Sequence, residues 1–134
     1  MTLTPLLVSA VAVVRDRRVL MVTSRGRDVY YMPGGKIDPG ETAAEAAARE
    51  AEEEVALALD PAALTELFEV RTQAHGEPDG RQVHMRVFRA LTDAEPAPSG
   101  EVDAVHWVTT ADAARCPPAG HAVLDRLAAL HLID

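Results

Sequence analysis

A chain of 134 residues, 48% apolar and 25% charged, has the size of one domain with one core, too short for two and too apolar to stay disordered. Its net charge of −8 argues against a general nucleic-acid binder, which needs a basic stripe against phosphates; an anionic substrate must meet bound cations or a local arginine cluster. The single cysteine, Cys116, excludes an intramolecular disulfide and suits a reducing compartment, so a cytoplasmic protein is expected.

The apolar run Pro5–Val14 is ten residues long and follows no basic segment, so neither an export signal nor a membrane span is read there. Leu6–Val14 and Val19–Thr23 are predicted as two strands joined by the polar turn Arg15-Asp16-Arg17-Arg18. A short apolar segment, Val29–Met32, runs into Pro33-Gly34-Gly35, where a loop is expected because such a sequence breaks regular structure. From Thr42 to Val55 the alanines at 44, 47, 48 and 51 recur at helical steps. Thr42 and Glu45 have the spacing of a capping box, with Pro39-Gly40 as the turn before it.

Leu64–Thr72 and Val83–Leu91 read as two more strands flanking the turn-rich segment His75–Gly80, and Val102–Val108 as another. Ala119–Leu132 closes the chain as an amphipathic helix with Val123, Leu124, Leu127 and Leu130 on one side. Strands in the middle with helices after the first loop and at the end predict an α/β layered sandwich around a mixed β-sheet, in one domain spanning 1–134.

The chemistry is concentrated between Gly35 and Leu57. On a helix, Glu50 and Glu54 fall about 40 degrees apart, with Glu53 about 60 degrees to the other side of Glu50, so the three carboxylates are expected to converge on one point. Like charges that close destabilise a helix by a few tenths of a kcal/mol per pair, roughly, unless a cation lies between them. A hard divalent cation fits: magnesium takes carboxylate and water oxygens and bridges protein carboxylates to phosphates. An acidic run such as Glu50–Glu54 is, on its own, usually a solvated helix face. Here it follows a glycine-rich turn after a strand, where an anion-binding loop and helix start belong.

This segment resembles the Nudix box, G-x5-E-x7-R-E-U-x-E-E-x-G-U with U aliphatic: Gly35, Glu41, Arg49, Glu50, Ala51, Glu53, Glu54, Ala56 and Leu57 stand at its positions. Six of its seven fixed residues match over residues 35–57. The resemblance implies a Nudix-type α/β/α sandwich and a Mg2+-dependent hydrolase, with Mn2+ able to serve, that cuts a phosphoanhydride bond in a nucleoside diphosphate linked to another group. It further implies that Glu50, Glu53 and Glu54 hold the metal with a carbonyl of Gly34 or Gly35, that Glu50 orients or deprotonates the attacking water, and that Arg49 and Glu41 form a structural pair. The departure is Ala56, where the box has its last glycine. A left-handed residue there costs a non-glycine about 1–2 kcal/mol, so the helix is expected to run on toward Leu59 and stop at Asp60-Pro61.

Outside the box, Glu101 is a candidate further metal ligand or base, and Arg25 a candidate phosphate contact. Tyr30 and Tyr31 point to opposite sides, so one can stack on a base while the other packs inside; Tyr31 is taken as the substrate-facing one. Trp107 is expected in the core. His75, His84, His106, His121 and His131 are too scattered for a zinc site, and Cys116 is read as structural.

A MutT-like nucleoside triphosphate pyrophosphohydrolase matches this size and layout. Markers of ADP-ribose, dinucleoside polyphosphate and NADH pyrophosphatases are missing around Arg71–Ala74 and after the box. A catalytically inactive nucleotide-metabolite sensor would be expected to lack one of the three glutamates, and an isopentenyl diphosphate isomerase-like enzyme would need a pocket cysteine, which Cys116 comes too late in the chain to supply. The expected partner is a small-molecule nucleoside diphosphate derivative, with no nucleic acid or membrane, and a homodimer is compatible with the family.

Overall fold

The computed structural model describes residues 3–134. Strand β1 (Leu6–Ala12) is followed by the short β2 (Val14–Arg15), β3 (Arg18–Ser24) and β4 (Gly34–Lys36). Helix α1 (Ala43–Val55) leads to β5 (Thr65–Gln73), β6 (Gln82–Arg89) and β7 (Val102–Val108), and α2 (Pro118–Ala129) comes last. One sheet has the order β4-β1-β6-β5, with β1 and β6 parallel and the other pairs antiparallel. The other is antiparallel in the order β2-β3-β7.

The mixed-sheet α/β/α sandwich is therefore present, with three local corrections. The strand expected to run unbroken from Leu6 to Val14 changes sheets at Val13: Leu6–Ala12 pair with β6, whereas Val14 and Arg15 pair with β3. The turn after it has Asp16 and Arg17 at φ 50° and 61°, the left-handed pair that matches the twist of a tight hairpin. Gly34-Gly35, expected as loop, form a strand, because Ala10, Ser9 and Val8 offer an edge that pairs with Gly34, Gly35 and Lys36. Val29–Met32 is no strand; Tyr31 makes an isolated bridge to Val22.

The two helices cover opposite faces. Val11 and Val13 pack with Leu20, Val22 and the α1 residues Ala43, Ala47, Ala51 and Val55. Ala10, Ala12, Val19 and Met21 pack with Val123, Leu124 and Leu127 of α2. Removing a leucine such as the fully buried Leu20 from water contributes about 1.5–3 kcal/mol, so these two clusters hold the layers together. The buried face of α1 is alanine except for Val55, and small side chains let the helix axis lie close to the strands beneath. That closeness brings its glutamates against the glycines of β4.

Helix α1 begins as its sequence predicts: Thr42 Oγ1 accepts from Glu45 N–H at 3.1 Å and Glu45 Oε1 accepts from Thr42 N–H at 2.8 Å. Its end differs. Ala56 is left-handed, with φ 56° and ψ 33°, and its N–H reaches back to the Ala51 and Glu52 carbonyls; the helix stops there rather than running on to Leu59. Buried Leu57 and Val55 on either side fix the path, so the chain bears the strain that a glycine would avoid. Trp107 is only half-buried, beneath the Arg15 guanidinium at 5.2 Å.

Candidate active site

The glutamates sit where α1 crosses β4. Gly34 N–H donates to Glu54 Oε1 at 3.1 Å, and a Cβ on Gly35 would lie 2.5 Å from Glu50 Oε1. Gly35 thus leaves the room that the Glu50 carboxylate occupies, while the missing side chain of Gly34 lets β4 lie against the Ser9 and Ala10 backbone of β1. Desolvation pushes the Glu54 carboxyl up to about 7; the Gly34 hydrogen bond pulls it down, while the Glu50 and Glu53 charges push it further up.

Arg49 links the other acids. Its Nε and Nη2 donate to the two oxygens of Glu41 at 2.9 and 2.8 Å, and Nη2 also donates to the Lys36 carbonyl at 3.0 Å. Its Nη1 donates to Glu50 Oε1 at 2.9 Å and lies 3.5 Å from Glu53 Oε1. Held by Arg49 and by the Asp38 N–H, the Glu41 carboxyl falls to about 2, and the Arg49 guanidinium is raised far above its usual range, first by Glu41. Such a forked, charge-assisted pair ties the 36–41 loop to the helix.

In the arrangement described, the three carboxylates do not meet at one point. They share a helix face, but among the described residues no three His, Cys, Asp or Glu side chains stand close enough to share one ion. Arg49 draws Glu50 and Glu53 to itself and Gly34 draws Glu54 away. The Glu50 side chain is 15% exposed and that of Glu53 is 57% exposed, so Glu53 can swing on a flexible stem. The donor set still fits a hard divalent cation: a desolvated carboxylate at Glu54 with two further carboxylates beside it is a concentration of negative charge and oxygen donors that such a cation would relieve.

The loop before β7 closes this end of the helix. Ala97 N–H donates to the Val55 carbonyl at 2.9 Å and Ser99 N–H to the Glu54 carbonyl at 3.0 Å, satisfying carbonyls that a helix end leaves without partners. Gly100, at φ +59°, passes so near that a Cβ would stand 3.0 Å from the Glu53 carbonyl oxygen. Glu101 follows, and its carbonyl accepts from Arg25 N–H at 3.3 Å.

A cavity of about 620 Å³ opens in front of these groups, where β1 and β6 begin and β3 ends. Gly34, Glu54, Glu101, Arg25 and Tyr31 all line it. Gly35, Glu41, Arg49, Glu50 and Glu53 are not in its lining. Its apolar wall includes Leu6, Val8, Met32, Val83, Met85 and Ala119. Of the two tyrosines, Tyr30 is buried, stacked on His106 at 4.6 Å and bonded through its hydroxyl by Arg115 at 2.6 Å. Tyr31 is the more exposed.

Two cavity residues escape a reading of the sequence. Arg27 lines the rim beside Arg25 and donates to the Tyr31 hydroxyl at 3.3 Å; the Arg25-Gly26-Arg27 spacing was its available signal. His75, dismissed among scattered histidines, also lines the cavity and meets Tyr31 edge to face at 6.2 Å. Nothing in its local sequence announces this. Among the described residues no helix is long and apolar enough to cross a membrane.

The family model described as NUDIX domain matches residues 5–129. Among solved structures, the fold is similar to a MutT NUDIX hydrolase from Burkholderia pseudomallei, at TM-score 0.71 and 27% identity over 94% of this chain and 98% of that one. It is also similar to the E. coli ORF135 protein, at TM-score 0.76 and 20% identity over 96% and 92%. A C. elegans Ap4A hydrolase has the same fold, at TM-score 0.70 and 20% identity over 94% and 97%. No curated protein matches the sequence. With this match over most of its length, the chain belongs to the NUDIX domain family and is a hydrolase of phosphoanhydride bonds.

Proposed function

We propose that this single-domain chain is a Mg2+-dependent hydrolase of a nucleoside diphosphate linked to another moiety, nucleoside triphosphates included. The observation that carries the reading is the desolvated Glu54 carboxylate in the wall of a cavity that also exposes two arginines and a tyrosine. Glu50, Glu53 and Glu54 would hold the cation, with a carbonyl of Gly34 or Gly35 and with Glu101 as further oxygen donors; Mn2+ accepts the same donors. When bound, the cation would neutralise phosphate oxygens and lower the pKa of water.

The chain's own residues divide the remaining work. Glu50, steadied by Arg49, orients the attacking water and takes its proton. The water oxygen bonds to phosphorus as the bond to the bridging oxygen breaks, and the leaving phosphate departs with the electron pair. Arg25 and Arg27 face the phosphate chain from the rim. Tyr31 offers a ring to the planar part of the substrate. The sensor alternative loses its motive with all three glutamates in place. Cys116 does not support the isomerase: it lies outside the cavity lining, against Met21 Sδ at 3.7 Å, and desolvation pushes its thiol up to about 11.

The test is product release from nucleoside triphosphates, dinucleoside polyphosphates, ADP-ribose and sugar nucleotides, with Mg2+ and with chelator. Metal-dependent turnover of one class supports the reading and names the substrate. A panel left intact while one of these nucleotides binds would replace the hydrolase with the sensor.

A further inference from the structure

The His75 ring stands over Tyr31 although the two are 44 positions apart in sequence, and the loop carrying it is fastened rather than slack. The Gln73 side-chain amide donates to the Pro78 carbonyl at 2.9 Å, lies 3.3 Å from those of Ala74 and Glu77, and accepts from Gly80 N–H at 2.8 Å. Backbone bonds from Ala74 to Arg81 and from Arg81 to Pro78, with an Arg81–Glu77 ion pair at 3.0 Å, complete the loop. One side chain so organises the turn that His75 is held at a set place on the cavity rim.

The opposite wall is also fixed. Tyr31 exchanges both backbone hydrogen bonds with Val22, at 2.8 and 2.9 Å, and Arg27 holds its hydroxyl. The ring centroids are 6.2 Å apart with planes at 64°. A flat ring stacked between two others needs roughly 7 Å, two van der Waals contacts, so turning the exposed imidazole parallel and opening the gap by ~1 Å creates that slot. Arg25 and Arg27 beside it have no carboxylate within 4 Å among the described residues, which leaves them free for phosphates in a chain of net charge −8.

We propose that Tyr31 and His75 form an aromatic clamp for the nucleobase of a nucleotide, with His75 a base-binding residue and Gln73 the positioning residue for it. This deepens the nucleotide reading above and rests on it for the substrate class, but not for the hydrolysis. The clamp recognises a planar ring by its face, and stacking is tolerant of which base is present; no base-edge reading is implied.

The probes are AMP, GMP, CMP and UMP, which bind a base site but contain no phosphoanhydride, with inorganic pyrophosphate as the base-free control. In proton NMR titrations in Mg2+, each monophosphate is expected to shift the Tyr31 and His75 ring protons upfield. His75→Ala is expected to weaken monophosphate binding about 10-fold and leave pyrophosphate binding unchanged, while His75→Phe keeps it. Gln73→Ala should weaken monophosphates alone; no effect there would overturn its positioning role. Absent ring shifts, or equal loss of pyrophosphate and monophosphate binding in His75→Ala, would overturn the clamp. A clamp that responds in a protein that hydrolyses nothing would sink the hydrolase reading alone.

Discussion

Gly34 N–H donates to Glu54 Oε1 at 3.1 Å, and this bond sits at the crossing of the strand and helix that form the site. Burial outweighs it, so the Glu54 carboxyl titrates near 7 rather than near 4.5. The folded protein then binds more protons than the unfolded chain between those values, and its metal-free stability should fall as pH rises from about 4.5 to 7. Cation binding opposes that loss. Thermal unfolding should show a larger Mg2+-induced rise in Tm at pH 8 than at pH 5.5, reaching about 2.7 kcal/mol of stabilisation with the cation at 100 times its Kd. An equal rise at both pH values would contradict the account.

Gly34 and Gly35 should fail differently when given a methyl group. A Cβ on Gly34 meets the Ser9 carbonyl at 2.3 Å, within backbone that cannot yield, so Gly34→Ala should disrupt β1–β4 pairing and lower Tm. The nearest contacts of a Cβ on Gly35 are all at the end of the Glu50 side chain, which can turn away. Gly35→Ala should therefore keep nearly full stability and lose most activity, as denaturant melts paired with turnover assays would show.

Ala56 pays for its left-handed conformation with about 1–2 kcal/mol, while glycine would add about 0.5–1 kcal/mol of unfolded-state entropy. Ala56→Gly is expected to stabilise the fold by about 0.5–1 kcal/mol, seen as a Tm rise of about 2–4 °C, with kcat unchanged. A lower Tm would show that the strain is absent.

The start of α1 was readable because Thr42 and Glu45 decide it locally, and the cluster of glutamates because helical spacing fixes which residues share a face. The end of α1 was not: propensity argues against a left-handed alanine, and only the packing of Val55 and Leu57 on either side overrides it. The same holds at Gly34-Gly35, where pairing with β1 outweighs a loop-like sequence. At Val13 a continuous apolar run hides the change of sheet, since both sheets want the same residues. His75 depends wholly on long-range contact.

Arg49 bridges Glu41, Lys36 and Glu50 with one planar fork, a geometry that lysine cannot reproduce while keeping the charge. Arg49→Lys should lower kcat by about 10–100-fold, the range seen when groups supporting metal ligands are lost, with a smaller change in Mn2+ affinity measured by calorimetry. Loss of cation binding with no separate effect on kcat would place Arg49 outside this supporting role.

The most direct test of the central claim is turnover by Glu54→Gln of the substrate that the wild type cleaves in Mg2+. The account predicts a fall in kcat of more than about 100-fold, with a metal-free Tm at pH 8 at least equal to that of the wild type. A variant that folds as stably and still hydrolyses at near the wild-type rate would contradict it.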